Sequence, residues 1–330
     1  MSGEDILESL QRPIYEEGEV PTAEELDSVL DKVVGESIEG ASGKVGMLLS
    51  GGVDSTTLLA FVSRFRDIPV FTVAESSSHP DFVASKKLAE DLGLEHYYTI
   101  PTQEDRERAK VAVESRGTTF YKGDDAVYLA AELASKHGVK VLLASDGIDE
   151  LTGGYWWHRS RSDRFPTQEG AFEHFWGALE EQHLVPLSRS GRDFGVEVKY
   201  PYLDDRVVSI LTRIPLSTRA PEGTSKAWWK DFARSYVPDW VVDRPKLGFV
   251  DALEEKRDPV LLSMWEGVEG EEVGEEDVPS SLGTVRKKKR KISSKPKGSR
   301  GGTRLSRVDG SVVSRGGRFF KPTTGFGRSF

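Results

Sequence analysis

The heptapeptide Ser50-Gly51-Gly52-Val53-Asp54-Ser55-Thr56 constrains the fold more than any other stretch of this chain. It follows Val45-Gly46-Met47-Leu48-Leu49, an apolar run too short for a helix and suited to a buried strand. The stretch from Thr56 to Phe65 then reads as a helix. A strand that turns on two glycines into a helix aims backbone N–H groups and the positive helix end at one point. Ser50, Ser55 and Thr56 add hydroxyl donors, so the loop is built for an anion. Asp54 repels a bare phosphate and makes sense with Mg²⁺ between the two. No Gly-Lys-Ser/Thr follows, which excludes the Walker A type of phosphate loop.

The surrounding sequence supplies the frame for that loop. Thr22 and Glu25 have the spacing of a capping box, and Leu26, Val29, Leu30, Val33 and Val34 follow at helical spacing, predicting a helix over 22–36. Residues 68–73 and 95–100 read as two further strands. Pro80 and Gly93 bracket a helix in the order expected of helix ends. Residues 124–138 read as a helix closed by Gly138, and 139–145 as a fourth strand. Strands alternating with helices imply an α/β fold with a parallel sheet covered on both faces. Ligands of such sheets lie beyond the C-terminal strand ends, where both glycine-rich breaks fall. From about 150 to 250 the strand pattern stops. Segments 171–182, 203–213 and 225–236 are expected to form an added helical layer.

The first loop is similar to the pyrophosphate loop of the N-type ATP pyrophosphatases, written SGGxDS in that family. The second break, Ser145-Asp146-Gly147-Ile148-Asp149-Glu150-Leu151-Thr152-Gly153-Gly154-Tyr155, resembles the asparagine synthetase pattern SGEGSDELFGGY. Other pyrophosphatase families share the first loop and lack the second. Val198-Lys199-Tyr200-Pro201-Tyr202-Leu203-Asp204-Asp205-Arg206 looks like the same family's VRxPFLDHR, and Arg244-Pro245-Lys246-Leu247-Gly248-Phe249 looks like its RPKxGF. The resemblance covers about residues 22–255 and implies an adenine nucleotide alpha hydrolase-like, PP-loop fold.

It also implies an activity: an AMP-forming ligase that adenylates a carboxylate, aspartate in the family, and passes it to ammonia or another amine. By the resemblance, ATP and Mg²⁺ are the cofactors. Asp54 and Asp149 hold the metal, and Ser50, Gly51, Gly52, Ser55 and Thr56 hold the pyrophosphate. Val73, Ser145 and Gly147 lie along the nucleotide. Asp146 stands where many members have Glu, beside the acyl-adenylate. Lys246 neutralises charge on the α-phosphate, and Lys226 matches a lysine near the phosphates. Lys122 and Asp124 fall where the family places residues for the amino acid. Lys122 takes the place of a basic residue, whereas Asp124 and Asp125 replace small polar ones. Asp124 also suits a plain helix N-cap.

Composition limits the alternatives. The 330 residues hold no cysteine, which excludes a disulfide framework, a thiolate zinc site and a cysteine nucleophile. Glutaminase domains of glutamine-dependent asparagine synthetases use an N-terminal cysteine, so the nitrogen is expected as free ammonia, from a separate glutaminase, or as another amine. No signal-peptide pattern or membrane-length apolar run is present, and a cytoplasmic protein is expected. Residues 286–330 carry 15 Lys+Arg and one acid, leaving +14 there and −23 on the rest. The expected organisation is a lead-in (1–21), a ligase domain (22–260, divided at 155/156 into nucleotide-binding and helical substrate parts), an acidic linker (261–285) and a basic, disordered tail (286–330). Arg300-Gly301-Gly302 and Arg315-Gly316-Gly317, with nearby phenylalanines, suit single-stranded nucleic acid or a protein partner. A rival reading therefore makes the chain a binding module without catalysis, or a ligase acting on a peptide, an internal amine or a nucleic-acid-linked acceptor.

Overall fold

A computed structural model describes residues 9–117 and 120–244. Lys246, the acidic linker and the basic tail lie outside the described residues, as do Thr118 and Thr119.

Five strands pair in parallel throughout: β1 (Lys44–Leu48), β2 (Val70–Val73), β3 (His96–Thr99), β4 (Val139–Leu143) and β5 (Glu197–Lys199). Their order across the sheet is β3-β2-β1-β4-β5. β1 and β2 are buried almost end to end, which explains why they read as apolar runs without alternation. β3 is an edge strand, and Tyr98 is exposed on it.

The connections between these strands are helical. α1 (Ala23–Glu39) precedes β1, and Thr22 caps it by accepting from the Glu25 N–H at 3.2 Å. α2 (Val53–Val62) joins β1 to β2, and α3 (Pro80–Leu92) joins β2 to β3. Gly93 closes α3 in the left-handed region, as the sequence predicts. α4 (Gln103–Glu114) and α5 (Asp124–Lys136) join β3 to β4. Right-handed crossovers put α2 and α3 on one face and the return through α5 on the other. The packing agrees: α1 lies against α2, and α4 lies against α5. The expected parallel sheet flanked by helices is therefore observed.

Two elements of the sheet and its connections go beyond the sequence expectation. α4 has no apolar stripe and buries only Ala109 and Val113, so periodicity does not announce it. Its local signal is a capping box between Thr102 and Asp105. β5 is the second addition, and it corrects the reading that strands stop near residue 150. Three residues carry no usable periodicity, and pairing with β4 decides their state.

The helical layer begins with α6 (Ile148–Thr152) and a 3₁₀ turn (Trp156–His158). α7 (Gln168–Leu179) runs through a π-helical turn (Glu180–Leu184) into α8 (Val185–Asp193). The predicted helix at 171–182 thus belongs to a longer bent rod. Pro186 lacks an N–H and cannot join a regular helical ladder, and a π turn just before it absorbs the mismatch. A 3₁₀ turn (Pro201–Leu203) follows β5, then α9 (Asp205–Leu211), α10 (Leu216–Arg219), α11 (Ala227–Ala233) and α12 (Asp239–Val242). Asp204 caps α9 by accepting from the Arg206 N–H at 3.0 Å. The lead-in is fastened to this layer, because Arg12 forms an ion pair with Asp205 and Trp176 donates to the Arg12 carbonyl at 3.1 Å. Among the described residues no helix is long and apolar enough to cross a membrane.

Arg219 is the deepest charge in this layer, 1% exposed. Its guanidinium donates to the carbonyls of Leu151 (3.0 Å), Thr212 (2.7 Å) and Ile214 (2.6 Å). It thereby ties α6 to the C-terminal end of α9, where helix carbonyls lack intrahelical donors. Replacing it with Met should leave the Leu151 and Ile214 carbonyls without this donor and the Thr212 carbonyl with only the Glu16 N–H. We expect Arg219→Met to lower unfolding free energy by about 3 kcal/mol or more, read by urea denaturation.

Candidate active site

β1 and β4 are neighbours, and the chain proceeds from them toward opposite edges of the sheet. A crevice therefore opens beyond their C-terminal ends, and both glycine-rich loops end there. The loop after β1 is bonded to itself. Ser50 Oγ and Ser55 Oγ lie 3.1 Å apart, and the Gly52 N–H donates to Ser50 Oγ at 3.3 Å. Gly51 has φ +71°, and a Cβ there would stand 2.7 Å from the Ser85 nitrogen of α3. Only glycine permits both the turn and this approach. Thr56 Oγ1, in the first turn of α2, is buried with no hydrogen-bond partner. An orphaned hydroxyl at a helix start fits an oxyanion.

The loop after β4 turns at Gly147 and starts α6, which carries Asp149 in its first turn. Asp54 and Asp149 lie 95 residues apart in sequence, and both meet the Nζ of Lys226. The contact to Asp54 Oδ2 is 2.5 Å. The other Asp54 oxygen accepts from the Trp229 indole N–H at 2.9 Å, and the Asp54 carbonyl accepts from the Tyr202 hydroxyl at 2.9 Å. Burial, with Asp54 adding to it, holds the Tyr202 hydroxyl pKa well above the usual range, so it stays a donor.

Lys226 precedes α11 with φ +53°, the sole positive φ among the described non-glycine residues. That conformation costs roughly 1–2 kcal/mol. Its side chain is 3% exposed. The stem passes so close to Gly154 that a Cβ there would stand 2.7 Å from Lys226 Cε, and closer still to Asp149 Oδ1. Gly154 is thus required by packing around the charges.

The same geometry tests the fit of Mg²⁺. Two carboxylates facing one ammonium present hard oxygen donors to one point, as a Mg²⁺ site requires. Among the described residues no group of three His, Asp or Glu side chains is placed to hold a metal. A cation here would complete its shell with water and phosphate oxygens, and the donor set fits Mg²⁺ on those terms.

Ser50, Ser55, Ser145 and Asp146 face a cleft of about 770 Å³ that opens to solvent. Tyr121, Lys122, Gly123 and Asp124 form another wall, and Gln182 and His183 project from the π turn. The Tyr121 hydroxyl fastens that turn by donating to Glu181 at 2.9 Å. Asp124 is 4% exposed, and burial pushes its pKa up to about 6. The Tyr121 N–H bonded to it acts the other way, Asp125 adds to the rise, and His183 and Arg116 oppose it. The helix N-cap is Gly123, with φ +99°, so Asp124 does not hold that position. Its carboxylate instead bonds back to the Tyr121 N–H at 2.9 Å. Asp146 lies near Tyr200, whose hydroxyl burial keeps protonated.

Val73 lies buried at the end of β2, the strand next to β1. The structure thus gathers Asp54, Asp149 and Lys226 in mutual contact, and gathers Ser50, Ser55, Ser145, Asp146, Lys122 and Asp124 around one cleft. Lys246 lies outside the described residues. Two residues earlier, Arg244 donates to the Ser50 carbonyl at 3.4 Å and to Asp81 at 2.6 Å, which brings the chain to the first loop. Sequence reasoning missed Trp229, Tyr202, Gln182, His183 and the Arg244–Asp81 pair. Tyr202 lay within a recognised motif. Arg244 likewise opened a recognised motif, and Trp229, Gln182, His183 and Asp81 carry no local signal, because only the fold brings them to the site.

The family model described as asparagine synthase matches residues 25–182 and 174–266. A putative asparagine synthetase [glutamine-hydrolyzing] of Methanocaldococcus jannaschii is 26% identical over 282 residues, covering 73% of this chain and 50% of that protein. A probable asparagine synthetase [glutamine-hydrolyzing] of Acanthamoeba polyphaga mimivirus is 26% identical over 253 residues, covering 72% of this chain and 45% of that protein. The chain spans about half the length of these relatives. Among solved structures, the NH3-dependent NAD synthetase of Campylobacter jejuni aligns with TM-score 0.32 and 14% identity, covering 51% of this chain and 78% of its own.

Two outcomes follow from the geometry. Gly154→Ala should drive a methyl into Asp149 and Lys226, lowering stability by about 2 kcal/mol or more in thermal unfolding. Asp124 has a raised folded pKa, so the folded state binds the extra proton between the unfolded value and about 6. Its contribution therefore becomes less favourable as pH rises through that window. Asp124→Asn should gain stability relative to wild type from pH 4 to pH 7 and level off above, measured as unfolding free energies at each pH.

Proposed function

Because the chain belongs to the asparagine synthase family, we propose that it is an ATP-dependent, AMP-forming carbon–nitrogen ligase acting on a small carboxylate, aspartate in the first instance. The observation that carries this reading is the convergence of Asp54 and Asp149, from two adjacent strand ends, beside a self-bonded glycine loop. A nucleic-acid or peptide binder has no need of two half-buried carboxylates sharing one buried ammonium at a loop shaped for phosphate.

In this reading the triphosphate lies along Ser50–Thr56, with the Thr56 hydroxyl and the α2 N-terminus donating to it. The adenine lies toward Val73, and Ser145 and Gly147 flank the nucleotide. Mg²⁺, held by Asp54 and Asp149, would screen the phosphates and so ease departure of pyrophosphate. The carboxylate substrate occupies the cleft beside Asp146, where Lys122 offers a cation to an acid group and Asp124 an anion to an ammonium. Its oxygen attacks the α-phosphorus, and pyrophosphate leaves into the first loop. Lys226 and Lys246 supply positive charge as the leaving group develops its own negative charge. An amine then displaces AMP from the acyl-adenylate and forms the amide. The chain carries no cysteine, so its own residues contain no cysteine-dependent glutaminase, and ammonia is the nitrogen donor to try first. The protein's main contribution is to hold three reactants in line and to exclude water from the adenylate.

The test is pyrophosphate and AMP release from Mg·ATP, with aspartate and ammonium together and with each omitted. Asparagine formation that requires both supports the reading in full. Release with a different acid or amine keeps the ligase and changes the substrate. Asp54→Asn should lower release by at least about a hundredfold while leaving the circular dichroism spectrum unchanged. Equal turnover in that variant would sink the proposal.

A further inference from the structure

We infer that Lys226 is a resident counter-cation that excludes the metal until the nucleotide arrives, so that metal and nucleotide enter together. The inference rests on the pyrophosphatase reading above and concerns the order in which that site fills.

The ammonium touches both carboxylates that would hold the metal. It is enclosed, with the side chain 3% exposed, and the left-handed backbone at Lys226 aims it there. The surroundings keep the pair in place. Trp229 occupies the remaining oxygen of Asp54, Tyr202 holds the Asp54 backbone, and Gly154 leaves room for the lysine stem. With Lys226 present, the two carboxylates carry a net charge of −1 between the three groups, and without it −2. A divalent cation approaching alone meets a like charge already bonded to its ligands, where little water screens the repulsion. A triphosphate changes the balance. Its oxygens give the ammonium a second set of acceptors and give the metal the ligands the protein lacks. Metal affinity should therefore depend steeply on nucleotide, and the dependence should reside in this one side chain.

The experiment is Mn²⁺ binding to the full chain, followed by the electron paramagnetic resonance signal of free Mn²⁺. Wild type and Lys226→Met are each titrated alone and with the α,β-methylene analogue of ATP. In the expected result, Lys226→Met binds Mn²⁺ alone at least tenfold more tightly than wild type, and the analogue tightens wild-type binding at least tenfold more than it tightens the variant. A folded variant that binds Mn²⁺ alone no more tightly than wild type overturns the inference. Wild type that fails to bind Mn²⁺ even with the analogue overturns the pyrophosphatase reading as well, so the two failures are distinct. A second measurement needs no variant. In ¹⁵N-lysine-labelled wild type, the enclosed Lys226 ammonium should give a signal slow to exchange with water. Millimolar Mg²⁺ alone should leave it in place, and Mg²⁺ with the analogue should shift it. A shift caused by Mg²⁺ alone overturns the inference.

Discussion

The contact of one lysine with two aspartates is the constraint on which the rest of the site depends. Asp54 belongs to the helix after β1, Asp149 to the helix after β4, and Lys226 to the start of α11. Three segments distant in sequence must meet within hydrogen-bond distance. Buried charges are tolerated only when paired and bonded, so errors in placing any segment would expose an uncompensated charge. Several local oddities make sense as servants of this contact. A lysine adopts a left-handed backbone, Gly154 leaves a gap for its stem, and a tryptophan and a tyrosine spend their polar groups on one aspartate.

The sheet supplies the meeting place. With strand order β3-β2-β1-β4-β5, the two central strands send their connections to opposite sides and leave a crevice between them. The helical layer closes that crevice from above. Arg219 ties α6 to the end of α9, and the π turn before Pro186 swings Gln182 and His183 toward the cleft. In the proposed reading, phosphate chemistry and acid recognition share one opening but use different walls. The first wall carries Ser50, Ser55 and Ser145, the second Tyr121, Lys122, Asp124 and the π turn.

Much of this was legible in the residues. The glycine loop reads as an anion site because the chemistry it offers is local: backbone N–H groups, hydroxyls and a helix start lie within seven residues. The caps at Thr22 and Gly93 were legible for the same reason. α4 was hidden because its face is polar, and β5 because three residues have no period. Asp124 was read as a cap or a substrate group. The fold gives the cap to Gly123 and leaves the carboxylate buried at the cleft.

The sequence by itself determined the family, the alternation that builds a parallel sheet, and the residue types at each loop. These follow from short-range rules, in which a residue's neighbours within a few positions decide its state. Tertiary structure alone decided that Lys226 stands between Asp54 and Asp149, that Trp229 and Tyr202 hold Asp54, and that Arg244 reaches the first loop through Asp81. Those contacts span between 77 and 175 positions, or in the case of Arg244 and Asp81, 163. No local pattern encodes a distance of that kind. It arises from the packing of strands and helices into the one arrangement that buries their apolar faces together.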